Sequence, residues 1–217
     1  MASSAPTPET RWEPLAAQAV ADLLASSPVR WWLSGGVALD RWLGAPIRER
    51  SNTDVSVVFG DLPQLVASLP AEYDAWAVRD DDDLVPFAEI QEGDEVQPVL
   101  VRDVEQDAWV LKVNVEDGAP RAWVYKRDPR LQLPWDRAVL DIDGIPTGAP
   151  EVQLVWKALR PRPEDDVDKD AVLLRLSDEA RAWYERCILS IHPHSSWSIH
   201  VRSPFAPAKA SWNRKRS

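Results

Sequence analysis

The stretch SGGVALDRWLGAPIRERSNTDVSVVF, which begins at Ser34, brings several residues with chemical potential close together. Ser34, Gly35 and Gly36 end a short apolar run, RWWL, and open a helical pattern. Such a strand–turn–helix junction can hold an anion. The first N–H groups of a helix have no partners within it, and the helix dipole favours negative charge there. Glycines let the backbone approach a phosphate closely. Asp54 follows within a second strand pattern, TDVSVVF. Residues i and i+2 of a strand share a face, so Asn52 is expected to point the same way as Asp54. Two carboxylates so placed would chelate Mg2+, which prefers oxygen ligands and substrate phosphates. Here Asp54 brings a charge and Asn52 only a neutral oxygen. Asp40 and Glu49 are other nearby acids, each equally at home on a surface.

These residues need elements to position them. Residues 14–26 suit an amphipathic helix, with Pro14 in the first turn. RWWLSGG reads as a strand and a turn, and Val37 to Leu43 as a short helix stopped by Gly44. DLPQLVASL reads as a helix capped by Asp61. Strands are expected at about 97–101, 109–116 and 121–126, the last two parted by DGAP as a hairpin. The run Asp80 to Asp83 reads as a solvated turn. From Pro150 the texture becomes helical: PEVQLVWKALR, a break at PRPEDD, then DDVDKDAVLLRL and SDEARAWYERCIL, the last capped by Ser177. The fold class expected is α/β (α+β), a mixed sheet flanked by helices with a C-terminal helical extension. The expected divisions are residues 1–148, 149–200 and a basic tail, 201–217.

The opening stretch resembles the signature of the aminoglycoside adenylyltransferase-like nucleotidyltransferases, within the polymerase-β-like superfamily. These carry a Gly-Gly or Gly-Ser turn, a short helix and an Asp-x-Asp pair on the next strand. GIPTGAPEVQLVWKALRPRPEDDVDKDAVLLRL is similar to a downstream segment of that family, and HPHSSW resembles its closing His-Pro-x-His-Pro-Trp element. The resemblance spans roughly residues 28–197. It implies transfer of a nucleoside monophosphate from a nucleoside triphosphate to a hydroxyl of a small molecule, an aminoglycoside-like acceptor among the candidates. It implies Mg2+ as cofactor, held by Asp54, and gives Ser34, Gly35 and Gly36 a role at the nucleotide phosphates. Lys157 would face the nucleotide or fix its own helix, and Asp165 and Asp168 match the family's acidic pair.

The departures from that pattern fall at the metal site. Asn52 stands where the resemblance expects the first carboxylate, and Lys112, in WVLKVNVED, where it expects the third. Lys112 should then point at Asp54. Glu116 has the same strand parity, and its pointing there instead would favour a working site. Two readings therefore stay open: a transferase, or a catalytically degraded relative that binds a nucleotide or a partner.

Composition narrows the partners. The net charge of −10 over 217 residues argues against a general nucleic-acid binder and suits a cationic acceptor. A basic tail follows Glu185, after which no acid occurs. No run is long and apolar enough for a membrane span, no signal peptide is read, and one cysteine, Cys187, fits a reducing cytoplasm. Cys187 reads as a buried core thiol, and His192, His194 and His200 as surface residues. Most of the twelve tryptophans are expected in the core or its walls.

Overall fold

The computed structural model describes residues 5–7, 9–79, 83–91, 94 and 96–202, with the side chain of His200 excepted. Most of the acidic run at 80–83 and of the basic tail lie outside them. The chain forms two compact units, Met1–Gly148 and Ala149–Ser217.

The first unit opens with α1 (Ala17–Leu23), β1 (Trp31–Ser34), α2 (Gly35–Leu43), β2 (Asp54–Val58), α3 (Leu62–Ala67), β3 (Tyr73–Val78), β4 (Leu84–Pro86) and β5 (Val99–Asp103). It continues with β6 (Ala108–Ala119), β7 (Ala122–Val124), β8 (Gln132–Pro134), the single turn α4 (Trp135–Ala138), β9 (Val139–Ile142) and β10 (Ile145–Gly148). The strands form one mixed sheet in the order β4-β3-β5-β6-β2-β1-β10-β9, and β7 joins the far half of β6 to β8. β2 runs parallel to β6 and antiparallel to β1.

The pleat sorts the side chains onto two faces. On one face Leu33 pairs with Val55, Val55 with Val113, Val57 with Val115, and Val99 with Val113. These join Val20 of α1, Leu24 just after it, Ala38 of α2 and Leu62 and Leu65 of α3 in one buried cluster. That apolar burial is the main stabilising term of the unit. On the other face Ser34 pairs with Asp54, Asp54 with Lys112, Ser56 with Asn114, and Val58 with Glu116. The polar row of the candidate site is therefore the reverse side of the core strands.

Several elements differ from the sequence expectation. β6 runs unbroken through Gly118 to Ala119 before it turns into β7. Trp135 lies close against that glycine, where a side chain would clash. β3, β4 and β8 to β10 carry weak or no alternation, which hid them. α3 has no side-chain cap from Asp61, because a 3-10 turn over Phe59–Asp61 leads into it.

The second unit comprises α5 (Pro150–Lys157), α6 (Pro163–Leu173), α7 (Asp178–Ile191) and α8 (Ser196–Arg202). PRPEDD was expected to be a break, yet α6 starts inside it. Pro163 occupies the first turn, followed by Glu164, Asp165 and Asp166. A proline there loses no needed N–H, and acids favour the positive end of the dipole. Ser177 Oγ accepts the Ala180 N–H at 3.2 Å at the start of α7. Cys187 is buried, and burial pushes its thiol up to about 12. His192 is buried, contrary to the surface placement expected, and His194 is exposed. No helix among the described residues is long and apolar enough to cross a membrane.

Candidate functional site

Three chain segments converge on Asp54. β1 delivers Ser34 to the start of α2, directly across from Asp54 in the antiparallel pairing. The Thr53 hydroxyl donates to the Leu15 carbonyl at 2.7 Å, and the Lys112 N–H donates to the Thr53 carbonyl at 2.9 Å. Both bonds fix the entry to β2. β6 then lays Lys112 beside Asp54 and Asn114 beside Ser56.

The partners of the Asp54 carboxylate meet one oxygen, and the other packs against a glycine. Asn114 Nδ2 donates to Oδ1 at 3.1 Å, and the Lys112 ammonium lies 3.7 Å from the same oxygen. Oδ2 lies against Gly35, where a Cβ would approach it to 2.6 Å. Gly35 also has a φ of +61, which an L side chain adopts only under strain. The glycine is thus required by its own backbone and by the close approach of the carboxylate. Gly36 is filled differently: a Cβ there would meet the Arg50 guanidinium at 2.6 to 2.8 Å. Asp40 holds that guanidinium by two hydrogen bonds, from Nε at 2.8 Å and Nη2 at 2.6 Å. The start of α2 therefore has a carboxylate against its first residue and a guanidinium against its second.

Two hydroxyls on this face lack partners. Ser34 Oγ, at the N-cap of α2, and Ser56 Oγ are both buried without a hydrogen bond, and Ser34 gives α2 no side-chain cap. An unmet buried hydroxyl costs about 1–3 kcal/mol, so each would gain from an added partner.

The strand argument that places Asn52 beside Asp54 does not apply. β2 begins at Asp54, so Asn52 lies ahead of the strand and the two-residue period does not reach it. The residue that shares the Asp54 face is Ser56. Glu116 is not at Asp54. It pairs with Val58, four residues along β6 from Lys112 and so roughly 13 Å away at strand rise. Its buried carboxylate accepts the Trp123 indole N–H. Glu49 is exposed, and Asp40 serves Arg50. Lys112 points at Asp54, as the sequence comparison anticipated.

Lys157 belongs to the second unit. Its ammonium contacts Asp165 Oδ1 at 2.6 Å and Asp168 Oδ2 at 3.0 Å, with Asp168 fully buried. Burial pushes the Asp165 carboxyl up, but hydrogen bonds from Arg162 and Lys157 and the Arg162 backbone N–H outweigh it and hold that carboxyl below its usual value. This lysine ties α5 to α6.

The residues at Asp54 do not fit a magnesium ion. Asp54 is the one carboxylate on this stretch of the face, its neighbours being Ser34, Ser56, Lys112 and Asn114. Among the described residues no group of three His, Cys, Asp or Glu side chains could hold a metal. A divalent cation beside Asp54 would also stand near the Lys112 ammonium, a repulsion on the order of several kcal/mol at an effective dielectric of ~20.

The chain is similar to antibiotic adenylyltransferases of known structure. ANT(2")-Ia in complex with adenylyl-2"-tobramycin is 14% identical, with a TM-score of 0.49, over 79% of this chain and 95% of that one. The lincosamide antibiotic adenylyltransferase LnuA, lincomycin-bound, is 14% identical, with a TM-score of 0.48, over 78% of this chain and 98% of that one. An antigenic nucleotidyltransferase-like protein from Paracoccidioides brasiliensis is 17% identical, with a TM-score of 0.38, over 86% of this chain and 90% of that one. No family model matches the chain. No curated protein matches it.

Proposed function

We propose that this chain is a nucleotidyltransferase-like protein that has lost metal-dependent transfer and acts by binding a nucleotide or a partner. The observation that carries this reading is the Lys112 ammonium 3.7 Å from Asp54 Oδ1, on the strand next to the one that bears Asp54. A metal that joins triphosphate to acceptor needs several oxygen ligands and an uncompensated negative field. Asp54 is instead neutralised from within the chain. The rival reading, an active transferase, requires a second acid, and Glu116 is engaged by Trp123.

The test is a transfer assay with ATP and GTP, Mg2+ or Mn2+, and aminoglycoside and lincosamide acceptors. No adenylylated or guanylylated product above the uncatalysed background is expected. Product formation that Asp54→Ala abolishes would restore the transferase reading.

A further inference from the structure

The side chain of Lys112 is about one-third exposed, and its one ion-pair partner among the described residues, Asp54, lies at 3.7 Å. That distance is beyond a hydrogen bond, so the ammonium keeps donors for an acceptor from outside the chain. The Asp54 oxygen it faces already receives the Asn114 amide. The first turn of α2, a helix of 9 residues with no side-chain cap, starts on the strand beside Asp54. Ser34 Oγ stands unpartnered at its N-cap, in a residue only 3% exposed. The Arg50 guanidinium, oriented by Asp40, abuts the second residue of the helix. One cation at 3.7 Å from the carboxylate, a helix N-terminus, an unmet hydroxyl and a second cation against Gly36 thus lie at the same end of β1 and β2.

We propose that Lys112 is a built-in counter-cation, which lets this site take a phosphate-bearing ligand without any divalent metal. The inference rests on the reading above and deepens it. In metal-dependent sites a divalent ion bridges carboxylate and phosphate. Here the ammonium bridges them: it faces Asp54 on one side and presents donors to phosphate oxygens on the other. The Gly36 and Val37 N–H groups at the start of α2 and the Ser34 hydroxyl supply further donors. A second positive ion is superfluous at Lys112 and is repelled by it.

The experiment is calorimetry on the full chain with inorganic tripolyphosphate and with ATP, each in excess EDTA and in Mg2+. The expected result is binding in EDTA that Mg2+ leaves equal or weaker. Lys112→Ala should weaken it about tenfold or more, as loss of one charge-assisted contact does. Lys112→Arg should stay within about threefold. Ser34→Ala separates a ligand role from a structural one: it should raise thermal stability, because an unmet hydroxyl is removed, and still weaken tripolyphosphate binding. Thermal melts of each variant establish that it folds.

Binding that appears only with Mg2+ overturns the inference. So does binding in EDTA that ignores Lys112→Ala, which would place the ligand elsewhere. An absence of binding in every condition also overturns it, while leaving the absence of transfer intact. Transfer activity together with metal-free binding would sink the proposed function and spare the role of Lys112.

Discussion

The Asp54 carboxylate is 16% exposed and has two partners, the Asn114 amide, which donates to it, and the Lys112 ammonium, an ion pair at 3.7 Å. Removing the ammonium leaves it with one. Lys112→Met should therefore destabilise the first unit by about 1 kcal/mol, less than for a fully buried pair because Lys112 is partly solvated. A urea midpoint measures this, and an unchanged midpoint would show that the pair contributes nothing to folding. Gly35→Ala should cost about 2 kcal/mol or more, because it adds both a left-handed alanine and a clash with Asp54. Gly36→Ala should cost less, since the obstacle is the movable end of Arg50. Equal losses at the two glycines would contradict the packing of Asp54 against Gly35. At this scale the sequence was only partly legible. The glycine turn and Asp54 stood out by type and spacing. Ser56 carries no signal of its own, since the two-residue period leads from Asp54 as readily back to Asn52, ahead of the strand, as on to Ser56 within it. Arg50 and Asn114 carried no signal, since a charged residue in a loop and a polar one in a strand are both common.

Among the elements, α5 and α6 are joined through Lys157, Asp165 and Asp168, all largely buried. Truncation as Lys157→Met leaves two carboxylates without their shared cation and should cost about 3–5 kcal/mol. Circular dichroism during urea unfolding reads this, and a loss under 1 kcal/mol would refute the tie. The depressed carboxyl of Asp165 also fixes a pH dependence. Its folded value lies below the unfolded value of about 3.9, so its stabilising contribution is complete above roughly pH 5. It is lost as the pH falls below about 4 towards the folded value, and Asp165→Asn should flatten that acid limb. In α7 the Cys187 thiol, buried and pushed up to about 12, should resist a thiol-specific reagent at pH 8 until the chain is unfolded. Rapid labelling of the folded protein would contradict its burial. Strong amphipathic or β-branched patterns made β1, β2, α2 and α7 readable in advance. The edge strands β4, β8 and β9 are short, with few alternating side chains, and only their pairing partners define them. The start of α6 was misread because proline and three acids look like a break in isolation but suit a helix N-terminus.

Over the whole molecule, one sheet presents an apolar face to the core and a polar face bearing Ser34, Asp54, Ser56, Lys112 and Asn114. The parallel pairing of β2 with β6 sets what Asp54 meets: a lysine in register with it on the neighbouring strand. Sequence order separates the two residues widely; the family resemblance led to the expectation of their contact, and the sheet sets its register. The most direct measurement is a Mn2+ titration of the full chain followed by electron paramagnetic resonance. Wild-type protein is expected to bind no ion at Asp54, so its titration should match that of Asp54→Ala. The double substitution Ser56→Asp with Lys112→Asp removes the ammonium and puts two more carboxylates on that face, so it should gain one Mn2+ site. A stoichiometric site in the wild-type protein that vanishes in Asp54→Ala would contradict the internal neutralisation of Asp54.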